Sequence, residues 1–208
     1  MRMFHMLHLS SRTAARGIAA AAAALALAGC ASTPQPGAAT ASSGVLQTGT
    51  MHAYHGRFAV QYSDQLGNPR NVYGNFDWQE RGGDVSLELR SPLGQTLAVV
   101  KSSPHEASLE LPNRQPQFAE DVGELMQNTL GFALPLEGLR YWLQPTPAPA
   151  TPATTVRDPD DATRIKQIRQ DGWTIDYVSY ADAPATGVKR INLARSTPPL
   201  DIKLVLDQ

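Results

Sequence analysis

Val85–Val100 reads VSLELRSPLGQTLAVV. Val85, Leu87 and Leu89 alternate with Ser86, Glu88 and Arg90, then Ser91-Pro92-Leu93-Gly94 interrupts and Gln95–Val100 runs on as a second apolar segment. Period-2 alternation on either side of a proline–glycine turn is the signature of a β-hairpin. Proline presets φ for the second turn position, and the glycine two places later supplies the left-handed residue of a three-residue loop closed by a bulge. Between them stands Leu93, an aliphatic side chain at a tip where the turn itself offers nothing to bury it.

Strands continue in both directions from this hairpin. Upstream, Phe58–Tyr62 and Asn71–Gln79 alternate across a polar loop containing Gly67-Asn68-Pro69, and Arg81–Asp84 turns the chain into the hairpin. Downstream, Glu106–Leu111 adds a fifth strand, making a meander. The period then changes. Phe118, Val122, Leu125, Met126, Thr129 and Leu130 fall at helical spacing, with Glu120 and Asp121 in the first turn and Gly131 at the stop. Leu136–Leu143 predicts a short second helix.

Gln144–Asp161, with its five prolines, predicts an exposed, poorly ordered loop. Asp171-Gly172 between Thr163–Gln170 and Trp173–Tyr180 is a type I′ hairpin signal that sets Ile168 opposite Ile175. Val188–Arg195 and Leu200–Leu206 complete nine predicted strands and two helices. A single antiparallel sheet of that length curls, so the expectation is a mainly β fold, a barrel or half-barrel with the helices against its concave side.

The chain has 208 residues, and the first thirty are not read as part of this domain. Arg2, Arg12 and Arg16 precede a short uncharged run, Ile18–Ala28, that ends in Leu27-Ala28-Gly29-Cys30. The run is too short for a permanent transmembrane helix and reads as a secretory signal peptide. Its last four residues look like a bacterial lipobox, so residues 1–29 are read as a lipoprotein signal peptide and Cys30, the only cysteine, as the acylated residue. Two or more acyl chains at roughly 0.8 kcal/mol per buried methylene anchor a protein durably without spanning the bilayer. Ala31, where an aspartate would favour inner-membrane retention in the enterobacterial sorting rule, points to the outer membrane, periplasmic face. Residues 30–50 form the anchor and a Ser/Thr/Pro/Gly/Ala-rich tether, and residues 51–208 the folded domain. With one cysteine no intramolecular disulfide is possible.

A formal net charge of −1 gives no electrostatic footprint for nucleic acid. His52 and His55, placed at the edge of the tether, and His105 lack partners at triad or metal spacing, and no nucleophile elbow, phosphate loop or zinc motif is present. No enzyme, cofactor or metal is expected. The sheet and helix positions instead hold many apolar side chains, among them Phe76, Trp78, Leu87, Leu89, Leu97, Val99, Leu109, Met126, Trp142, Trp173 and Ile175. These either fill an ordinary core or line a cavity between the curled sheet and its helices.

Several stretches together resemble the outer-membrane lipoprotein receptor family LolB: Gly74-Asn75-Phe76-Asp77-Trp78, Ser91-Pro92-Leu93-Gly94, Leu134-Pro135-Leu136 with Leu139-Arg140-Tyr141-Trp142, Gly172-Trp173, and Asp201-Ile202-Lys203-Leu204. The resemblance implies an incompletely closed antiparallel barrel with a helical lid over a hydrophobic cavity. It implies acceptance of acylated lipoprotein cargo from a LolA-like periplasmic carrier and release into outer-membrane lipid, by a protein expected to be a monomer. The family's exposed delivery leucine maps through the Pro-Leu-Gly motif onto Leu93, flanked by Pro92 and Gly94. Two rival readings follow from the residues alone: a lipid-anchored scaffold or assembly lipoprotein, and a lipocalin-like binder of a small lipid.

Overall fold

The structure, a computed structural model, describes residues 50–207. The readings of residues 1–49, including the signal peptide, Cys30 and the tether, lie outside the described residues. Eleven strands form one antiparallel sheet: β1 (Met51–Ser63), β2 (Pro69–Arg81), β3 (Asp84–Arg90), β4 (Thr96–Ser102), β5 (Ala107–Glu110), β6 (Gln117–Ala119), β7 (Ala153–Arg157), β8 (Ile165–Gln170), β9 (Trp173–Tyr180), β10 (Val188–Ser196) and β11 (Pro199–Leu206). Helices α1 (Val122–Leu130) and α2 (Leu136–Trp142) fall between β6 and β7.

The spatial order is β6-β5-β4-β3-β2-β1-β11-β10-β9-β8-β7. Two meanders therefore meet where β11 pairs with β1, and the strands next to each other in sequence across the helices, β6 and β7, are the two unpaired edges. The sheet does not close. A chain leaving one edge and re-entering at the other must cross the sheet's face, and the helical segment makes that crossing. Leu125, Met126, Phe132, Leu134, Leu136, Leu139, Trp142 and Leu143 join the same buried cluster as the inward strand residues. This is the half-barrel with a helical lid that the sequence predicts.

Alternation decides which face is inside. Inward pairs run across the sheet as Val100 opposite Leu87, Leu87 opposite Trp78, Leu89 opposite Phe76, Phe58 opposite Leu204, Ile202 opposite Leu193, and Ile175 opposite Ile168. The last of these is the pairing read from Asp171-Gly172, both at positive φ as a type I′ turn requires. Close backbone approach explains one glycine in the wall. A Cβ on Gly74 would lie 1.9 Å from the Arg90 carbonyl oxygen, so only hydrogen fits where β2 coils against β3.

Four sequence expectations are corrected. Phe118 is not in a helix but in edge strand β6, where it is exposed, because Asp121 caps α1 by accepting the Glu124 N–H at 2.7 Å and sets the helix start at Val122. The proline-rich stretch is not structureless. Ala153–Arg157 pairs with β8, and an edge strand exposed on both faces has no apolar period to betray it. His52 and His55 lie within β1 and not at the edge of a tether, since β1 begins at Met51. On β4 the inward positions are Ala98, Val100 and Ser102, leaving Leu97 and Val99 half-buried. The physical reason is a bulge: Leu89 faces Ala98 whereas Arg90 faces Thr96, so Leu97 is an extra residue and the parity flips.

Candidate functional site

Between the sheet and the lid lies an apolar cavity. Its floor is Phe58 and Val60 of β1, Phe76 and Trp78 of β2, Leu87 and Leu89 of β3, and Ile202 and Leu204 of β11. Its roof is Phe132 and Leu134 from the segment joining the helices, Leu139 of α2, and Leu143. The free volume is about 30 Å³. Liquid water occupies roughly 30 Å³ per molecule, so this space holds nothing the size of an acyl chain. The roof side chains fill most of the space between the sheet and the lid.

Four of the sequence-chosen residues, Phe76, Trp78, Leu87 and Leu89, are in this lining. Leu109, Met126, Trp142, Trp173 and Ile175 belong to the continuous buried core beside it, Trp142 and Trp173 as tilted rings 6.3 Å apart. Leu97 and Val99 are outside the lining, as the bulge dictates. Sequence selection missed Ile202 and Leu204 although the alternation of Leu200–Leu206 marks them as inward. It also missed Phe132 and Leu134, which sit in an irregular connection with no period to read.

The two parts of the lid are held differently. Helix α2 is tied to the sheet through its last turn. Arg140 donates through Nε to Glu80 Oε1 at 3.0 Å and through Nη2 to the Gly82 carbonyl at 3.0 Å. Burial pulls the Arg140 guanidinium down, but the hydrogen bond and charge of Glu80 outweigh it and hold it above its ordinary value. In the same turn Trp142 Nε1 donates to Gln170 Oε1 at 3.0 Å, and Tyr177 donates its hydroxyl to the Trp142 carbonyl at 2.8 Å. Burial pushes the Tyr177 phenol far up, which keeps it a donor. Gln170 also clasps the Ala148 N–H and carbonyl at 2.9 and 2.7 Å, which orders the start of the proline-rich stretch.

Helix α1 buries only Leu125 and Met126. Tyr62 donates to the Leu130 carbonyl at 3.2 Å, and its ring lies 5.0 Å from that of Phe132. Phe132 and Leu134 thus roof the cavity between α2 and an α1 that is tied to the sheet by Tyr62 and by Thr129, which donates to Gln117 Oε1 at 3.0 Å.

The β3–β4 turn closes as read from the sequence. Gly94, at φ 84°, donates to the Ser91 carbonyl at 2.9 Å, and Ser91 donates to the Gln95 carbonyl at 2.8 Å. Leu93 is 90% exposed, and Pro92 and Gly94 are exposed with it. Leu66, in the β1–β2 turn at the same end of the strands, is 86% exposed and carried no sequence signal.

Comparison with known proteins adds the following. The family model for the outer membrane lipoprotein LolB matches residues 50–208. The chain is 45% identical over 170 residues to an outer-membrane lipoprotein LolB of Ralstonia nicotianae, covering 76% of this chain and 80% of that one. It is 44% identical over 163 residues to the LolB of Cupriavidus necator, covering 77% and 81%. Against the LolB of Thiobacillus denitrificans it is 37% identical over 188 residues, covering 90% and 93%.

Proposed function

The chain belongs to the LolB family of outer-membrane lipoproteins, and from that premise we propose that it receives acylated lipoproteins from a soluble LolA-like carrier and passes them to the outer membrane. The observation that carries the proposal is the all-apolar floor and roof of the cavity between the sheet and the helical lid. Cys30 bears the acyl anchor, residues 30–50 are the tether, residues 51–208 act as a monomer, and the signal peptide comprising residues 1–29 is removed.

Loading exchanges roof for cargo. Withdrawing Phe132 and Leu134 from the cavity forfeits about 1.5–3 kcal/mol each. Burying acyl methylenes returns roughly 0.8 kcal/mol apiece, so about four to eight of them offset the opening. A long acyl chain exceeds that number and opens the lid without nucleotide. Release follows from affinity order alone: the bilayer solvates the chains at least as well as the cavity and the roof regains its own contacts once they leave. Leu93, with Pro92 and Gly94, meets the membrane at that step, giving about 1.5–3 kcal/mol per contact, enough for a transient encounter.

The test mixes the soluble Cys30→Ala protein with carrier bearing radiolabelled lipoprotein. The label is expected on the receptor within the time of mixing. Label that stays on the carrier while the lid segment remains closed to hydrogen exchange refutes the receptor reading.

A further inference from the structure

The outer face of the sheet, turned away from the helices, carries cations in a row that ends at the Leu93 turn. Arg90, Asn75, Arg57, Val205 and Arg190 are successive cross-strand neighbours on β3, β2, β1, β11 and β10, all at outward positions. Arg57 and Arg190 flank Val205, two strand spacings or about 10 Å apart. Lys203 lies two residues along β11 on the same face. On β10 strict alternation would turn either Lys189 or Arg190 inward, but a bulge against β9 keeps both exposed between buried Val188 and Ile191. Arg57, Lys189, Arg190 and Lys203 are exposed and in no ion pair among the described residues. The acids of this face are Asp77, paired with Arg90, and Asp176, Asp201 and Asp207. With Arg169 of β8, five cations stand against those last three acids, on a chain whose formal net charge is −1.

The Leu93 turn leans over the same face. Asn75 Nδ2 donates to the Ser91 carbonyl at 3.4 Å, and Pro92, Leu93 and Gly94 wall a groove of about 420 Å³ that His55, Asp77 and Asp207 also line. An apolar tip beside exposed cations matches a bilayer surface, with leucine at the hydrocarbon boundary and the cations on headgroup phosphates. The lid and its cavity lie on the opposite, concave face. Resting on the reading of Leu93 as the tip that meets the membrane, we propose that the outer face of β1, β10 and β11 docks on a bilayer carrying anionic headgroups. The receptor then lies with the back of its sheet on the membrane, and its lid faces the carrier.

The soluble Cys30→Ala protein is sedimented with vesicles of phosphatidylcholine, alone or with phosphatidylglycerol added. Beside it run Arg57→Gln with Arg190→Gln, Arg57→Lys with Arg190→Lys, and Leu93→Glu, all at exposed positions and expected to melt like the parent. A cation near an anionic surface strengthens binding about fivefold, so the glutamine pair should bind anionic vesicles roughly 25-fold more weakly and neutral ones unchanged. The lysine pair should bind like the parent, and Leu93→Glu should lose on both vesicles. A glutamine pair that matches the parent on anionic vesicles, or loses equally on both kinds, overturns the docking face and leaves Leu93 its role. A lysine pair as weak as the glutamine pair also overturns it. So does a glutamine pair whose loss is confined to label uptake from the carrier without vesicles, which assigns the face to the carrier. Failed label uptake by the parent strikes the receptor reading alone, because vesicle binding is scored separately.

Discussion

Phe132→Ala offers the sharpest trial of the lid. Phe132 is 4% exposed, forms part of the roof and stacks obliquely on Tyr62 at 5.0 Å. Truncating it in a packed core costs about 3–5 kcal/mol of folding stability. If the roof is the element that withdraws, the cost falls on the closed state alone, because in the loaded state this ring has already left the cavity. The open form then gains relative to the closed one by the lost burial, about 1.5–3 kcal/mol, or roughly a 10- to 100-fold gain in affinity. Calorimetric titration with a long single-chain amphiphile, paired with thermal melting, reads both effects. The expected result is a lower Tm together with tighter binding. A lower Tm with weaker binding refutes the reasoning, since it means that Phe132 touches the acyl chain and the roof does not move.

Other perturbations test separate parts. Leu93→Glu should leave Tm within about the change that half a kcal/mol produces, as expected of an exposed tip, and leave cargo acceptance intact while slowing transfer to liposomes at least about tenfold; a large fall in Tm would place Leu93 in the core. Arg140→Ala strands a mostly buried Glu80 carboxylate and should cost about 3–5 kcal/mol in urea unfolding, much of it restored by adding Glu80→Gln, which removes the orphaned charge. Gly74→Ala drives a methyl into the Arg90 carbonyl and should cost at least about 1–3 kcal/mol, seen as a lower urea midpoint. Gln170→Leu should free residues 144–152 and expose them to limited proteolysis, because Gln170 alone joins Ala148, Thr151 and Trp142.

The hairpin of Val85–Val100 was readable because burial on one face enforces a period and the turn residues fix the geometry. The Leu93 tip was visible for the same reason: a leucine at a turn position contradicts its surroundings. What escaped reading was set by tertiary pairing. The bulge opposite Arg90 inverts Leu97 and Val99, and nothing local announces it. Strand β7 is exposed throughout, so only its partner β8 defines it. The roof residues Phe132 and Leu134 gain their role from where the crossover carries them, and the polar ties of Arg140 and Gln170 span 60 and 22 residues of sequence.

The unpaired edges have a consequence for capacity. A closed barrel holds its circumference through an unbroken ring of backbone hydrogen bonds, so its bore is fixed by strand number and stagger. Here Gln117–Ala119 and Ala153–Arg157 are the two ends of the sheet, and no ladder joins them. The sheet can flatten or tighten like a cupped hand, changing curvature between neighbouring strands without severing any of those bonds. No ring of backbone bonds therefore holds this sheet to one bore.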